Sequence, residues 1–427
     1  MPCSLQLVYS LMLRYRVDTA LACDIAIVGG GLAGACLAIA LAPLGYAIKV
    51  IEAVAFKAAD QPSYDDRTLA LGHCSCRILS GMGLWKELAA DATAIRKIFV
   101  TELERPGRVV LDPAEMGLDE FGHVVEARRF GVAVNRQLEQ IGNIEVICPA
   151  SVTGIDIGEA SSILSLDCDA GAGAKTLVAR LVVAADGADS FIRNYLKIPT
   201  QTRDYGQTAV ICNITPSLPH EGQAFECLTP TGPFAMLPHT GMRCGLVWTV
   251  ASADAAGLME LDQATFLARA EQRFGTELGV FLKMGNRSAY PLKLVRAKQD
   301  VRGRLVILGN AAHAIHPVGA QGFNLALRDV AVLAEILADD GQDDPGDYQL
   351  LQQYSRWRQA DQRSTITWSD GITRLFAHPS MLAAGLRTAG FVAHALLPGL
   401  RRQVANQAMG YRGRVPRLAL GEPLRFE

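Results

Sequence analysis

The segment from Asp24 to Glu52 constrains the fold of this chain more than any other part of the sequence. It opens with a short β-branched run over 24–28 and closes with a second apolar run over 47–52. Between them lie a glycine turn and a stretch of small residues from 32 to 44, which Gly45 ends. Buried parallel strands have such continuous apolar runs, and a small-residue helix packs closely on them. The segment therefore predicts a βαβ unit in an α/β fold.

The turn of this unit carries a GxGxxG motif formed by Gly29, Gly31 and Gly34. Such glycines allow a tight turn, close approach of a diphosphate, and close packing of helix on strand. The N-terminus of the helix adds free N–H groups and partial positive charge. Glu52 ends the second strand, where a carboxylate can accept both hydroxyls of a ribose. The complete unit predicts that these residues and Ala33 bind the ADP half of a dinucleotide.

A second turn with phosphate-facing character is Asp186-Gly187, which closes an apolar strand predicted over 180–185. A strand that runs into Asp-Gly and then into a helix start presents backbone N–H groups at that edge of a sheet. We expect Asp186 and Gly187 to contact the same dinucleotide, although Asp-Gly turns are also common without a ligand.

The stretch from Gly309 to Asp329 is the richest in the chain. Pro317 turns the backbone away from a predicted strand over 304–308, and Gly319 and Gly322 permit close approach to a planar ligand. A helix is expected to start near Gly322, so its N–H groups would face any negative charge that lies before it.

The remaining sequence predicts a Rossmann-like α/β domain with an inserted mixed or antiparallel sheet and a helical C-terminus. Alternating apolar segments with Pro and Gly turns occur between 200 and 295, and helical patterns follow Gln321. The predicted segments are an N-terminal extension over 1–22 with Met12 as an alternative start, a nucleotide-binding domain over 23–100, 124–200 and 290–370, a substrate-binding sheet over 101–123 and 201–289, and a helical region over 371–427.

Composition excludes several classes of function. Lys and Arg total 41 against 43 Asp and Glu, so no nucleic-acid partner is predicted. The ten cysteines form no CxxC pair, so we predict no metal site and a reducing, cytoplasmic compartment. No second GxGxxG unit occurs, so a separate nicotinamide-binding domain is not expected.

The three motifs together resemble the single-component flavoprotein aromatic hydroxylases, the para-hydroxybenzoate hydroxylase class. Their order and spacing match from about Asp24 to Asp370. The resemblance implies FAD as cofactor, NADPH or NADH as reductant, and transfer of one oxygen atom from O₂ to a phenol ring by a flavin 4a-hydroperoxide. It also implies that Arg67 lies along the ribityl chain and pyrophosphate. Asn310 departs from the class, which usually has Asp there, and we expect FAD binding to survive this change but to be weaker.

By the same resemblance, the loop after Pro317 faces the pyrimidine edge of the flavin. Its implied cofactor contacts are Gly319, Gln321, Gly322, Phe323 and Asn324. We predict catalytic roles for Pro317, for Gly322 at the helix N-terminus, and for His316, because a histidine side chain ordinarily titrates near neutral pH. The alternative for His316 and His313 is that they shape the loop by bonding to the backbone.

Stretches within 220–226, 232–238, 243–248 and 287–292 resemble more narrowly the bacterial ubiquinone-pathway hydroxylases that act on 2-polyprenyl-6-methoxyphenol. This implies a polyprenylphenol and O₂ as substrates and a ubiquinone-synthesis complex as partner. Three alternatives stay open: another ring hydroxylase of the same pathway and class, an FAD oxidoreductase that inserts no oxygen, and a scaffold subunit. The four aromatic residues Phe225, Phe234, Trp248 and Tyr290 either line a pocket or pack in the sheet.

The C-terminal region is basic and apolar. No acidic residue occurs between Asp370 and Glu422, whereas seven arginines do, and the apolar run 381–397 is too short and broken to span a bilayer. Such a helix either lies on an anionic membrane surface, which would place the protein peripherally on the inner membrane, or packs on the core of the protein.

Overall fold

The structure is a computed structural model that describes residues 21–55, 67–103, 105, 107–168, 174–341 and 343–424. Most of the predicted N-terminal extension, including Met12, lies outside these ranges. Its last two residues, Leu21 and Ala22, already belong to the first strand, which begins at Leu21 rather than at the predicted Asp24.

Strands and helices alternate along the first third of the described chain, strands dominate the middle, and helices form its end. The strands are β1 (Leu21–Val28), β2 (Ile48–Ile51), β3 (Thr68–Gly72), β4 (Thr93–Ala94), β5 (Lys97–Glu102), β6 (Arg108–Leu111), β7 (Gly122–Glu126), β8 (Ile144–Ile147), β9 (Ala150–Ile157), β10 (Ser162–Cys168), β11 (Ala174–Ala184), β12 (Thr200–Pro216), β13 (Gln223–Thr229), β14 (Gly232–Pro238), β15 (Cys244–Ala251), β16 (Phe281–Met284), β17 (Ser288–Ala297), β18 (Val301–Arg302), β19 (Leu305–Ile307) and β20 (His313–Ala314). The helices are α1 (Leu32–Leu41), α2 (His73–Gly81), α3 (Trp85–Leu88), α4 (Ala127–Gln140), α5 (Phe191–Tyr195), α6 (Ser252–Glu260), α7 (Gln263–Phe274), α8 (Gln321–Asp339), α9 (Tyr348–Ala377), α10 (Met381–Leu396), α11 (Pro398–Met409) and α12 (Arg417–Leu420).

The first sheet confirms the predicted Rossmann-like domain. Within the described residues its strand order is β18-β19-β11-β1-β2-β8, with β10 beside β11 and β9 beside β10. The strands β19, β11, β1, β2 and β8 are parallel. Along β1, Ile25 and Ile27 join the core shared with α1 and α8, whereas Ala26 and Val28 join the core on the opposite face. Burial on both faces explains why this strand is a continuous apolar run.

The second sheet is the predicted insertion and has the order β20-β17-β12-β15-β14-β13-β5-β6, with β16 beside β12, as far as the chain is described. Its pairs are antiparallel except for β13 with β5. The predicted boundaries at 100/101 and 289/290 fall inside β5 and β17, both of which pair in this sheet. The strands β3, β7 and β4 form a small third sheet.

The helical C-terminus confirms the fold prediction. Asp347 caps α9 by accepting from Leu350 N at 2.8 Å, and Ser380 caps α10 by accepting from Ala383 N at 3.2 Å. The predicted helical region over 371–427 also contains α11, which starts with Pro398 at its first turn, and the short α12. Pro is favoured at that helical position because its missing N–H would have no partner there.

Candidate active site

A cavity of about 1280 Å³ lies where the first sheet meets the second. One end, which we call the nucleotide half, is lined by 28–29, 31–33, 51–54 and 185–189. The other end, which we call the apolar half, is lined by residues of β5, β6, β13 to β15 and α9 to α11. The loop from Ala314 to Asn324 runs between the two halves and lines both.

The glycine turn of the nucleotide half is held by steric exclusion. Gly29 has φ +100°, and a Cβ there would lie 2.5 Å from the carbonyl oxygen of Ala185. A Cβ at Gly34 would lie 2.0 Å from the carbonyl oxygen of Gly29. Only glycine fits both positions, so the start of α1 stays close to the edge of the sheet. No side chain caps α1 in the described structure, which leaves its first N–H groups for an anion.

Glu52 shapes this turn as well as facing the cavity. Its Oε2 accepts from Gly30 N and its Oε1 from Val54 N, both at 2.8 Å. The side chain is buried and lines the nucleotide half. Each carboxylate oxygen has a further lone pair, so Glu52 can still accept ribose hydroxyls.

Asp186 lines the same half of the cavity and has one carboxylate oxygen without a partner among the described residues. Its Oδ2 accepts from Ile192 N at 3.1 Å, while its Oδ1 is buried and makes no hydrogen bond to the described part of the chain. Burial raises the pKa of this carboxyl. A buried acceptor without a partner costs free energy, which a hydroxyl donor on a ligand would recover. Gly187, at φ +83°, lines the cavity beside it.

The loop after Pro317 bends through two left-handed residues, Gly319 at φ 64° and Ala320 at φ 51°. This bend brings the start of α8 to the cavity, where Gly322 and Phe323 line the wall. No side-chain hydrogen bond caps α8 among the described residues. Its first-turn N–H groups therefore carry partial positive charge toward any ligand held there.

The side chains of two predicted cofactor contacts in this loop form hydrogen bonds with the protein, and their contacts with the cofactor stay predictions. The side chain of Asn324 accepts from Gly72 N at 2.8 Å and donates to the carbonyls of Ala70 and Ala320. The side chain of Gln321 donates to the carbonyls of Gly319 and Ala408 at 3.0 and 3.2 Å. Both side chains thus join the loop to neighbouring elements, although the backbone of Asn324 still borders the cavity.

Asn310 and Arg67 do reach the cavity wall. Asn310 is exposed there, directly after Gly309, whose N–H donates to the buried Asp329 at 3.2 Å. The guanidinium of Arg67 lies 5.0 Å from the centre of the Tyr290 ring. An amide at 310 keeps hydrogen-bonding capacity toward a hydroxyl but lacks the charge of a carboxylate.

The apolar half is a corridor between the second sheet and the C-terminal helices. Its wall contains the following apolar side chains: Ile98, Val100, Val109, Leu111, Ala224, Phe225, Leu228, Ala235, Leu237 and Val247 from the sheet, and Trp368, Ile372, Leu375, Phe376, Leu386, Phe391, Leu400 and Val404 from the helices. Among the described residues of this wall, three are ionisable: Glu226, Arg387 and His394. Arg387 is paired with Glu102 at 2.8 Å. The sequence motifs named none of these helical residues, because a wall assembled from distant segments has no local pattern.

The nucleotide half fits FAD on the observations above: two glycines that exclude any Cβ, an unused acceptor on Asp186, and the uncapped starts of α1 and α8. The family model described as an FAD binding domain matches residues 22–369. The chain belongs to this family of FAD-binding proteins.

Relatives over the whole length agree with the family. The chain is 36% identical over 408 residues to the ubiquinone hydroxylase UbiL of Rhodospirillum rubrum, covering 94% of this chain and 93% of that protein. It is 30% identical over 393 residues to the 3-demethoxyubiquinol 3-hydroxylase of Escherichia coli, covering 91% of this chain and 98% of that protein. The predicted class is thereby confirmed: the chain is an FAD-dependent monooxygenase of the aromatic-hydroxylase kind.

Solved structures show the same fold. The p-nitrophenol 4-monooxygenase PnpA from Pseudomonas putida superposes with a TM-score of 0.76 at 17% identity, covering 93% of this chain and 99% of that one. At this identity the likeness supports the fold, with its two sheets and helical end, and nothing finer.

In this monooxygenase His316 does not line the cavity, which removes the geometric basis for its predicted catalytic role. Its side chain is 1% exposed, with Nε2 at 3.0 Å from Gln207 Oε1 and Nδ1 accepting from Val318 N at 3.3 Å. Burial lowers the pKa of His316 to about 4. We therefore place His316 with the residues that shape the loop. Pro317 and Gly322 do line the cavity, and their catalytic roles stay predictions.

A buried ionic network, which the sequence motifs did not reveal, connects His313 before the loop with α8 and α9. Asp329, fully buried, lies 2.6 Å from His313 Nε2 and 2.7 Å from Arg358 Nε. Asp361 accepts from Arg358 and Arg328 at 2.7 Å each. Burial alone would raise the pKa of Asp329, but His313 and Arg358 hold it well below its usual range. Charged residues inside the apolar pattern of α8 were the available sequence signal.

The sequence left open whether four aromatic residues line a pocket or pack in the sheet, and the structure places one of them on the cavity wall. Phe225 lines the cavity and stacks on Phe99 at 5.3 Å between ring centres. Phe234 and Trp248 contact each other edge to face at 5.4 Å inside the core of the second sheet. Tyr290 lies against Arg67 rather than on the cavity wall. Packing thus explains all but Phe225.

Proposed function

We propose that this monooxygenase hydroxylates the aromatic ring of a polyprenylated phenol, a ubiquinone precursor, with NADH or NADPH as reductant. The observation that carries the proposal is the apolar corridor, which leads from the loop at the FAD site to α10 and α11. A long isoprenoid tail requires such a corridor, since burying apolar surface is what would bind it. The names of the relatives from Rhodospirillum rubrum and Escherichia coli support the ubiquinone pathway.

Bound FAD would supply two-electron storage and activation of O₂. The chain supplies the surroundings for that chemistry. The uncapped start of α8 would stabilise negative charge on a cofactor held before it. The apolar wall excludes water from the reacting atoms, and the corridor holds the ring at the loop.

The test uses purified holoprotein with NADH or NADPH, isotopically labelled O₂ and a short-chain 2-prenylphenol. We expect product that gains one labelled oxygen atom per reductant consumed. Reductant oxidation that yields only hydrogen peroxide would contradict hydroxylation of that substrate. Absence of flavin reduction by either dinucleotide would instead favour the scaffold alternative.

The substrate enters, in this proposal, from a lipid bilayer on which α10 lies. Met381, Leu382 and Leu396 are 87%, 76% and 71% exposed, and the same helix lines the corridor through Leu386 and Phe391. No single described helix is long and apolar enough to cross a membrane; only α10 and α11 together, bent by 103°, pass on length and composition. Partner proteins of a ubiquinone-synthesis complex stay a prediction.

Ion pairs within the protein reduce the positive charge that the C-terminal region can offer to an anionic membrane surface. Within the described chain, most arginines of the basic run pair with acidic residues elsewhere: Arg387 with Glu102, Arg401 with Glu115, Arg414 with Glu335, and Arg417 with Glu335 and Asp339. Apolar insertion rather than charge should therefore dominate binding.

The matched experiment compares vesicle flotation of a Met381→Glu/Leu382→Glu variant with Leu282→Glu, which changes a 59% exposed leucine on β16. We expect the α10 variant to lose binding to neutral and anionic vesicles alike, and the β16 variant to keep it. Equal binding of both variants would rule out this face.

A further inference from the structure

Glu226 is an uncompensated carboxylate in the apolar half of the cavity. It lies on β13, opposite Ala235 of β14 and Val100 of β5, and lines the wall with those two apolar residues. Its Oε1 accepts from Gly319 N at 3.2 Å. Its Oε2 makes no hydrogen bond to the described part of the chain, and it is not among the atoms shut off from the cavity.

No cation neutralises this carboxylate in the parts of the chain that the structure describes. The other two ionisable residues of the apolar wall are Arg387, which is paired with Glu102, and His394 on α10. Burial raises the pKa of Glu226, and the hydrogen bond from Gly319 N opposes that rise. A carboxylate enclosed by apolar side chains costs free energy unless a partner uses it, which is characteristic of functional sites.

The position of Glu226 joins the two halves of the cavity. Gly319 belongs to the loop that faces the FAD site, and a Cβ there would lie 3.3 Å from the Trp368 ring. The Gly319 peptide is therefore held between Glu226 on one side and Trp368 on the other. A polar group that contacts Oε2 would lie at the loop end of the corridor, with an apolar tail directed toward α10 and α11.

We propose that Glu226 binds the hydroxyl of the phenol substrate and accepts its proton during oxygen transfer. This inference rests on the proposed function, because it names the contact that orients the ring. A phenol is the chemical class that combines one hydroxyl donor with an otherwise apolar body, as this end of the corridor requires.

The proton and electrons balance as follows. The phenol O–H bond breaks, its proton forms an O–H bond with Glu226, and its electron pair moves into the ring. A ring carbon then forms a bond to one oxygen atom of O₂ as the O–O bond breaks. The nicotinamide reductant supplies a hydride and solvent supplies one proton, so the transferred oxygen arrives as a hydroxyl and the other oxygen leaves as hydroxide, which the proton lost from the ring carbon converts to water. Loss of the proton from that ring carbon restores the aromatic ring, and Glu226 returns its own proton to the phenol oxygen.

The first test is a binding measurement that needs no turnover. Holoprotein is titrated with a short-chain 2-prenylphenol and with its methyl ether, which has no hydroxyl hydrogen, while the flavin absorbance is followed. We expect the wild-type protein to prefer the phenol by about tenfold or more, the usual size of a hydrogen bond to a charged acceptor. In Glu226→Gln we expect the preference to disappear, because Gln can keep its oxygen toward Gly319 N and then presents an amide N–H₂ to the ligand.

The second test compares turnover of Glu226→Gln with that of Glu139→Gln, which removes an exposed carboxylate on α4. We expect kcat to fall by about a hundredfold or more in Glu226→Gln only, as for loss of a general base, with unchanged FAD content. Equal affinity of the wild-type protein for phenol and ether, or an unchanged kcat in Glu226→Gln, would overturn this role. Intact phenol preference without hydroxylated product would overturn the proposed reaction alone.

Discussion

The two halves of the cavity are built in different ways. The nucleotide half is made mainly of backbone within short segments, where Gly29, Gly34 and Glu52 fix one turn by steric exclusion and two hydrogen bonds. The apolar half is made of side chains from three separated parts of the chain. Its function requires that these side chains exclude water, but it does not require a fixed geometry. From this difference we expect a small substitution in the nucleotide half to cause a large loss of FAD binding. We expect a substitution in the apolar half to change substrate binding only gradually.

The largest effect is expected from Gly34→Ala, which tests the rigid half. Its Cβ would lie 2.0 Å from the carbonyl oxygen of Gly29, so α1 must move from the sheet and away from the diphosphate. Overpacking of this kind costs up to about 3 kcal/mol, which corresponds to on the order of a hundredfold weaker FAD binding. The FAD content of purified protein measures it. Gly257→Ala on α6, where a Cβ meets nothing within 4 Å, should keep its FAD.

The loop between the halves provides the second test, through His316. Burial lowers its pKa from 6.5 to about 4, so as pH falls the unfolded chain takes up the proton first. The associated stability is present above pH 6.5 and is lost as pH falls from 6.5 to about 4, a total of about 3 kcal/mol. Chemical denaturation at several pH values measures this slope.

In His316→Gln that pH dependence should be shallower, whereas His378→Gln, at an exposed position, should leave it unchanged. If both variants keep the wild-type slope, His316 does not stabilise the loop through its neutral form.

A third, smaller effect is expected from Glu52→Gln. The amide can accept from one of the two N–H groups of Gly30 and Val54 but must turn N–H₂ toward the other. Loss of a hydrogen bond to a charged group costs about 2 kcal/mol, and we expect FAD to bind about tenfold or more weakly. Calorimetric titration of apoprotein with FAD measures this affinity, and the control is Glu139→Gln, which changes an exposed glutamate. Unchanged affinity would show that the turn does not depend on both bonds.

The smallest effect should come from Val404→Phe in the apolar half. The larger ring narrows the corridor at α11 without touching the nucleotide half. We expect KM to rise about fivefold for phenols with long prenyl tails, equivalent to about 1 kcal/mol, and to stay constant for short tails. An equal rise for both tail lengths, or a loss of FAD, would remove the distinction between the halves.

The sequence by itself determined the FAD-binding unit, because its requirements are local. The glycines of the turn, the acid at the end of β2 and the small residues of α1 lie within 24–52, where spacing alone predicts the contacts. The same locality made Asp186 and the loop after Pro317 visible as cofactor-facing turns.

Only the tertiary structure decided which side chains face the cavity. Gln321, Asn324 and His316 stand in the richest motif, yet their side chains bond to Ala408, Gly72 and Gln207, residues far away in the sequence. Glu226 belongs to a strand and gains its place at the FAD loop through one contact with Gly319. Side-chain direction at such positions depends on packing between distant elements, and no local spacing encodes that packing.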